Sequence, residues 1–213
     1  MQVVVALYDR FTILDAVGPY QVLSQLPGAE VIFAAQRRGP VVNDDGAAQL
    51  NALACFADIP QPDIVVIPGG PGQVDHMTGG PLREWLAAAD ATSAWTASVC
   101  TGTLILAGAG LLAGRMATTH WLAKDELAQL GALPRDERYV FDGKYVTSAG
   151  VSAGIDMALA LAAKIAGDEE AMAAQLAIEY DPHPPFNAGS PATAPAGLVA
   201  AQRAASRFAD ASR

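Results

Sequence analysis

Short apolar runs alternate with segments whose apolar residues recur at helical spacing along most of this chain. Runs such as Val3-Val4-Val5 are rich in β-branched residues, which predicts strands that are buried on both faces. The predicted strands are 3–7, 30–35, 64–67, 96–99 and 117–119, with a hairpin over 139–147 that turns at Asp142-Gly143. The predicted helices are 13–26, 81–89, 102–112, 122–130, 152–166, 168–178 and one from Ala196 onward. Strands that alternate with helices are typical of an α/β fold with a mostly parallel sheet.

The composition indicates a chain that can build a large core. Of the 213 residues, 52% are hydrophobic and only 16% are charged, which excludes a disordered or low-complexity protein. No linker divides the chain, so we expect a single domain over 1–213, with a Pro-rich segment and a terminal helix at about 181–213.

The charge and the N-terminal sequence limit the expected partners. The chain has 22 acidic and 13 basic side chains, a net charge of −9, which disfavours binding to nucleic acid or to an anionic membrane surface. No apolar run approaches the ~20 residues that a membrane span needs. The N-terminus lacks the positive region of a signal peptide. We therefore expect a cytoplasmic protein with reduced thiols that binds neither nucleic acid nor membrane.

Residues suited to covalent chemistry follow the predicted strands. In open α/β sheets, ligands bind beyond the carboxyl ends of the strands. Asp15 comes after the first strand, Gly69-Gly70 after the third, Cys100-Thr101 after the fourth and His120 after the fifth. We therefore expect a carboxyl, a thiol and an imidazole at one edge of the sheet.

Cys100 has the most informative position. It lies between a predicted strand and a predicted helix, two residues before Gly102, where a sharp turn exposes a side chain. The N-terminus of the following helix favours a thiolate there. A buried structural cysteine is the alternative, and position alone leaves both interpretations open. Cys55 lacks such a context, and we expect it in the core.

The other candidates each have two interpretations. Gly69 and Gly70 form either a backbone site that stabilises negative charge or an ordinary tight turn. Asp15 is either an acid or base that faces Cys100 or a helix N-cap. His120 is either the base of a Cys/His pair or a structural hydrogen-bonding residue. The histidines have no partners at metal-ligand spacing, so we expect no metal site.

Several segments together resemble the ThiJ/PfpI superfamily. They are Ile67-Pro68-Gly69-Gly70, Ser98-Val99-Cys100-Thr101-Gly102, 109–115 and 117–121. Within that superfamily, Asp15-Ala16-Val17-Gly18-Pro19 and the segment 180–191 are similar to the isonitrile (isocyanide) hydratases. That branch commonly has Asp-Leu-Thr-Gly-Pro at the first of these two segments, so one hydroxyl is missing here. The resemblance covers nearly the whole chain. It implies a flavodoxin-like, class I glutamine amidotransferase-like fold, doubly wound with helices on both faces of the sheet.

The resemblance also implies an activity and roles for the candidates. We expect a hydratase, without cofactor or metal, that converts a small apolar isonitrile and water to the N-substituted formamide. Cys100 would form a thioimidate, with Asp15 as acid and base and Thr101 as an orienting residue. The main-chain N–H groups of Gly69, Gly70 and Thr101 would hold developing charge, and His120 and Val151 would line the pocket. A homodimer is expected.

Other activities of the superfamily stay open. One is a glyoxalase- or deglycase-like reaction, although that branch usually has a glutamate where this chain has Asp15. Another is a non-enzymatic ligand or oxidation sensor that uses Cys100. The same motifs occur in sensor domains of AraC-type regulators, but we expect no DNA-binding domain here, because the chain ends at Arg213. Proteolysis is less favoured, because the proteases place a histidine where this chain has Thr101.

Overall fold

The computed structural model describes residues 1–209 and contains a central sheet of seven strands. From one edge to the other they are β10 (Tyr139–Asp142), β11 (Tyr145–Ser148), β7 (Trp95–Val99), β6 (Ile64–Ile67), β1 (Gln2–Ala6), β2 (Glu30–Ala35) and β5 (Ala54–Cys55). Only the β10–β11 pair is antiparallel, and Gly143 takes a positive φ of 62° in its turn. The mostly parallel α/β sheet and the Asp142-Gly143 hairpin are therefore confirmed.

Seven helices surround the sheet in the described part of the chain. They are α1 (Ile13–Leu23), α2 (Pro81–Thr92), α3 (Gly102–Gly108), α4 (Lys124–Gln129), α5 (Ala153–Ala166), α6 (Asp168–Ala177) and α7 (Ala196–Ala204). Helix α5 packs against both α1 and α6, and α3 packs against β6 and β7. No helix within residues 1–209 has the length and apolar character needed to cross a bilayer.

The central strands are apolar throughout because both of their faces are covered. Val3, Val4 and Val5 of β1 are completely buried, and so are Val65 and Val66 of the neighbouring β6. Burial of a side chain of this size is worth about 1.5–3 kcal/mol. The center of the sheet is thus a rigid support for the loops that follow β1, β6 and β7.

Some elements differ from the prediction. The segment 39–52 forms an antiparallel hairpin, β3 (Gly39–Val42) and β4 (Gln49–Ala52), which the sequence analysis did not identify. A short parallel pair, β8 (Met116–Ala117) and β9 (Leu133–Pro134), replaces the single strand predicted over 117–119.

Two expectations near the sheet were wrong in detail. Helix α3 ends at Gly108 rather than at residue 112, because Gly110 takes a left-handed φ of 80°, which an α-helix cannot continue. Cys55 was expected in the core, but it lies on the edge strand β5 and is only partly buried. An edge strand is covered less completely than a central one, so an apolar neighbourhood in the sequence did not mean full burial.

Candidate active site

Cys100 lies at a sharp turn between β7 and α3. Its φ is 56°, a left-handed conformation that is strained for a residue with a side chain. Three contacts hold this backbone: the Cys100 N–H donates to the Ser148 and Ala149 carbonyls (3.1 and 3.3 Å), and the Thr119 hydroxyl donates to the Cys100 carbonyl (2.8 Å). The turn directs the thiol to the carboxyl end of the sheet, where the sequence analysis placed it.

Gly102 is needed for this turn because the chain passes close to the end of β6. A Cβ at residue 102 would lie 2.2 Å from the carbonyl oxygen of Ile67 and 2.7 Å from that of Pro68. Such distances are far shorter than any real contact of a Cβ atom. The glycine after Cys100-Thr101 therefore allows α3 to begin directly against the neighbouring loop.

Asp15 is a completely buried carboxyl in the first turn of α1. It does not cap the helix, since the N-cap position belongs to Thr12. One carboxylate oxygen, Oδ2, accepts the Gly69 N–H at 2.9 Å. Burial raises the pKa of Asp15 to about 7, although the hydrogen bonds from the Gly69 N–H and the Cys100 thiol favour its ionised form. Asp15 therefore exchanges its proton near neutral pH.

The thiol of Cys100 is coupled to this carboxyl. Burial, and after it the negative charge of Asp15, raises the pKa of Cys100 well above its usual range. Hydrogen bonds from the Thr101 and Val151 N–H groups act in the opposite direction. The helix N-terminus was expected to give an acidic thiol, but the loss of water around a 6% exposed residue outweighs it. At neutral pH the Cys100 thiol and the Asp15 carboxyl therefore share at least one proton, and either side chain can bind it.

The Gly69-Gly70 turn holds Asp15 and Thr101 in place. The Gly69 N–H is donated to Asp15, and the Gly70 N–H is donated to the Thr101 hydroxyl oxygen at 3.0 Å. A Cβ at Gly69 would lie 2.6 Å from the Thr101 nitrogen and 2.8 Å from Asp15 Oδ2. Both N–H groups thus have acceptors within the protein. The Gly69 and Gly70 N–H groups were expected to stabilise negative charge on a substrate, but here they donate to protein side chains. The N–H groups that donate to the Cys100 sulfur are those of Thr101 and Val151.

His120 and Val151 line the cavity that contains Cys100, which has a volume of about 310 Å³. His120 Nδ1 accepts the Leu122 N–H at 3.3 Å, and its ring packs over Gly150. Burial and then the positive charge of Arg207 lower the pKa of His120, so its imidazole is held in the neutral form. These contacts favour the structural interpretation of His120 over that of a base for Cys100.

The C-terminal segment forms the other side of the cavity, which the sequence analysis did not predict. Gln202, Ser206, Arg207 and Phe208 line it. Arg207 donates to the Pro71 carbonyl (2.9 Å), to the Gly70 carbonyl (3.4 Å) and to the Gln73 side chain. Nothing in an alanine-rich terminal helix followed by Ser206-Arg207-Phe208 indicates such a contact. The Pro-rich segment lies nearby, as Ala188 to Pro191 line a neighbouring cavity of about 280 Å³.

The site offers acid–base and thiol chemistry from its own side chains. Within residues 1–209, no three His, Cys, Asp or Glu side chains are grouped so that they could hold a metal ion.

Comparison with known proteins identifies the fold and the relatives. The chain is 41% identical to the isonitrile hydratase of Pseudomonas putida over 199 residues, which are 93% of this chain and 87% of that protein. The crystal structure of a ThiJ/PfpI family protein from Pseudomonas syringae superposes with a TM-score of 0.91 at 38% identity, covering 94% of this chain and 84% of that one. A glutathione-independent glyoxalase of Caenorhabditis elegans is 27% identical over 145 residues, 67% of this chain and 77% of that protein.

The family model agrees with these relatives. It is described as the DJ-1/PfpI family and matches residues 1–164, a stretch that contains both Asp15 and Cys100. The parallel sheet with helices around it matches the flavodoxin-like, class I glutamine amidotransferase-like fold. On the sequence match and the fold together, this chain belongs to the DJ-1/PfpI family.

Proposed function

We propose that this protein is an isonitrile hydratase, which converts R–N≡C and water to the formamide R–NH–CHO. The observation that carries the proposal is the buried pair of Cys100 and Asp15, which combines a nucleophile with a carboxyl whose pKa of about 7 suits proton transfer. The 41% identity to the Pseudomonas putida isonitrile hydratase supports the same reaction.

In the first step the thiol adds to the isonitrile carbon. Asp15 accepts the proton of Cys100 as the sulfur attacks the terminal carbon and the C–S bond forms. Asp15 then returns this proton to the same carbon, which gives the thioimidate R–N=CH–S–Cys100. The Thr101 and Val151 N–H groups stabilise the thiolate during the attack, since hydrogen bonds to an ionised group favour that form.

In the second step water replaces the sulfur. Water attacks the thioimidate carbon, while Asp15 takes one of its protons and delivers it to the nitrogen. The resulting R–NH–CH(OH)–S–Cys100 collapses as the C–S bond breaks. The hydroxyl proton passes through Asp15 to the sulfur, which releases R–NH–CHO and restores the thiol. Asp15 carries a proton in both steps, which is efficient only when its pKa is close to the working pH.

Thr101 and the Gly69-Gly70 turn act by position in this proposal. The Thr101 hydroxyl oxygen accepts the Gly70 N–H, and the adjacent Gly69 N–H holds the Asp15 carboxyl. The turn therefore fixes Asp15 relative to the sulfur, as a preorganised site requires.

A glyoxalase-like reaction on methylglyoxal is the second candidate, because the glyoxalase of Caenorhabditis elegans is among the relatives. Oxidation sensing is less well supported than catalysis, since burial raises the pKa of the Cys100 thiol and sensor cysteines are exposed and acidic.

We also propose a homodimer in the cytoplasm, and light scattering of the purified protein measures its mass in solution.

The test measures formamide from cyclohexyl isonitrile and lactate from methylglyoxal with one preparation. The wild-type protein should form the formamide, Cys100→Ser should not, and Cys55→Ser should behave as the wild type because Cys55 lies on the edge strand β5. Intact-mass spectrometry should find one substrate mass added to the wild-type chain but not to Cys100→Ser. Turnover by a folded Cys100→Ser variant, or dominant lactate formation, would contradict the proposal.

A further inference from the structure

Arg207 is a cation that the protein holds in a fixed position at the mouth of the cysteine cavity. Its side chain is exposed, yet its guanidinium donates to two main-chain carbonyls, those of Gly70 and Pro71, and to the Gln73 amide oxygen. Gln73 itself is only 1% exposed. Fixing an arginine side chain costs about 2 kcal/mol of conformational entropy, so this degree of restraint is unusual for a residue at the surface.

None of these three acceptors neutralises the charge of Arg207. Within residues 1–209, no carboxylate forms an ion pair with it, whereas Arg10, Arg38 and Arg115 are each paired with an aspartate. The other described residues that line this cavity include no carboxylate either. Among the described residues that line this cavity, Arg207 is therefore the one with a permanent charge.

A cation in the cavity wall matters because the whole chain is acidic. With a net charge of −9, the protein repels small anions at long range, so a fixed local cation is what would admit one to the cavity. A guanidinium presents five N–H donors and keeps its positive charge at all working pH values. The three hydrogen bonds within the protein use both Nη2 donors and one Nη1 donor, which leaves the Nε–H and one Nη1–H for a charge-assisted hydrogen bond to a carboxylate.

We infer that Arg207 is a carboxylate-binding subsite and that the preferred substrates are short isonitriles that bear a carboxylate. This inference rests on the proposed function. The isonitrile carbon would lie at Cys100 and the carboxylate at the mouth. The cavity volume of about 310 Å³ is at the small end of ligand sites, which favours a short molecule such as isocyanoacetate. This substrate class differs from the apolar isonitriles expected from the sequence, because nothing in the sequence places Arg207 at the site.

The alternative role for Arg207 is a counter-charge for the Cys100 thiolate. That role would affect every substrate equally, whereas a carboxylate subsite affects only the charged one. The two roles are therefore separated by comparing an anionic isonitrile with a neutral one of nearly the same shape.

The experiment compares kcat/KM for isocyanoacetate and for ethyl isocyanoacetate. The wild-type protein should prefer the carboxylate about tenfold, as expected for one charge-assisted hydrogen bond, and high salt should reduce this preference. Arg207→Ala should abolish the preference and Arg207→Lys should keep part of it. Arg203→Ala is the matched control on α7, since Arg203 lies over the Trp121 ring, 5.8 Å from its centroid. It should keep the wild-type preference.

A second measurement does not depend on turnover. N-formylglycine, the product expected from isocyanoacetate, should slow the alkylation of Cys100 by iodoacetamide in the wild-type protein but not in Arg207→Ala, and its ethyl ester should protect neither. A wild-type protein without preference for the carboxylate, or equal loss of both substrates in Arg207→Ala, would overturn the subsite. If neither of these two isonitriles nor cyclohexyl isonitrile is hydrated, the proposed function fails, and the protection measurement still decides the subsite.

Discussion

Replacing Asp15 with asparagine removes a buried ionisable group without removing its hydrogen bond, because an amide oxygen can still accept the Gly69 N–H. Burial raises the pKa of Asp15 from 3.8 to about 7. The folded protein therefore holds this proton more tightly than the unfolded chain does. The resulting cost to stability is absent below about pH 4, grows between pH 4 and 7, and reaches about 4 kcal/mol above pH 7.

The measurable consequence is a stability difference that depends on pH. The free energy of unfolding of Asp15→Asn, relative to the wild type, should increase by about 2.5 kcal/mol between pH 5 and pH 8. Urea unfolding followed by tryptophan fluorescence, at constant ionic strength and under reducing conditions, gives this difference. Asp168→Asn, an exposed position in the first turn of α6, controls for the loss of one negative charge. If the difference in unfolding free energy stays constant from pH 5 to pH 8, the Asp15 carboxyl does not hold its proton near neutral pH and the reasoning is refuted.

Three further substitutions test the support of the site and of the sheet. Gly69→Ala should lower the unfolding free energy by about 1–3 kcal/mol and reduce thiol reactivity, because its Cβ would lie 2.6 Å from the Thr101 nitrogen. Gly79→Ala, where a Cβ meets no atom within 4 Å, is the control and should leave thermal unfolding nearly unchanged. Thr101→Val should cost about 1–3 kcal/mol in urea unfolding, since the buried Gly70 N–H loses its acceptor, and an unchanged midpoint would contradict this. Trp85→Phe should lose about 1 kcal/mol of stability in thermal unfolding, because the indole N–H donates to a main-chain carbonyl at 2.7 Å. A variant as stable as the wild type would show that this hydrogen bond contributes nothing.

The sheet was predictable because its central strands follow one simple rule. β1 and β6 are covered on both faces, so their sequences are continuous apolar runs that stand out from their surroundings. The β3–β4 hairpin lies outside this sheet and alternates exposed and buried positions, with Gly39-Pro40 at its start. Glycine and proline are more typical of a loop, so the local sequence favoured one.

The positions of the site residues were predictable only where they depend on strand ends. Cys100 and Asp15 both follow strands of one parallel sheet, and the structure brings them into contact. Arg207 reaches the same cavity from a segment that follows an exposed helix, and the order of residues there gives no indication of where it packs. The acceptors of the Gly69 and Gly70 N–H groups likewise depend on distances that appear only in the folded chain.

The reacting groups and the mouth of the cavity come from separate stretches of the chain. Cys100 and Asp15 lie within the residues 1–164 that the family model matches, whereas 202–208 supply the opposite wall. If 202–208 select the substrate as inferred above, substitutions there should change which molecules reach the thiol and leave the Cys100–Asp15 pair in place. A chimaera that carries a relative's C-terminal stretch on this sheet should then differ from the wild type in its substrate range.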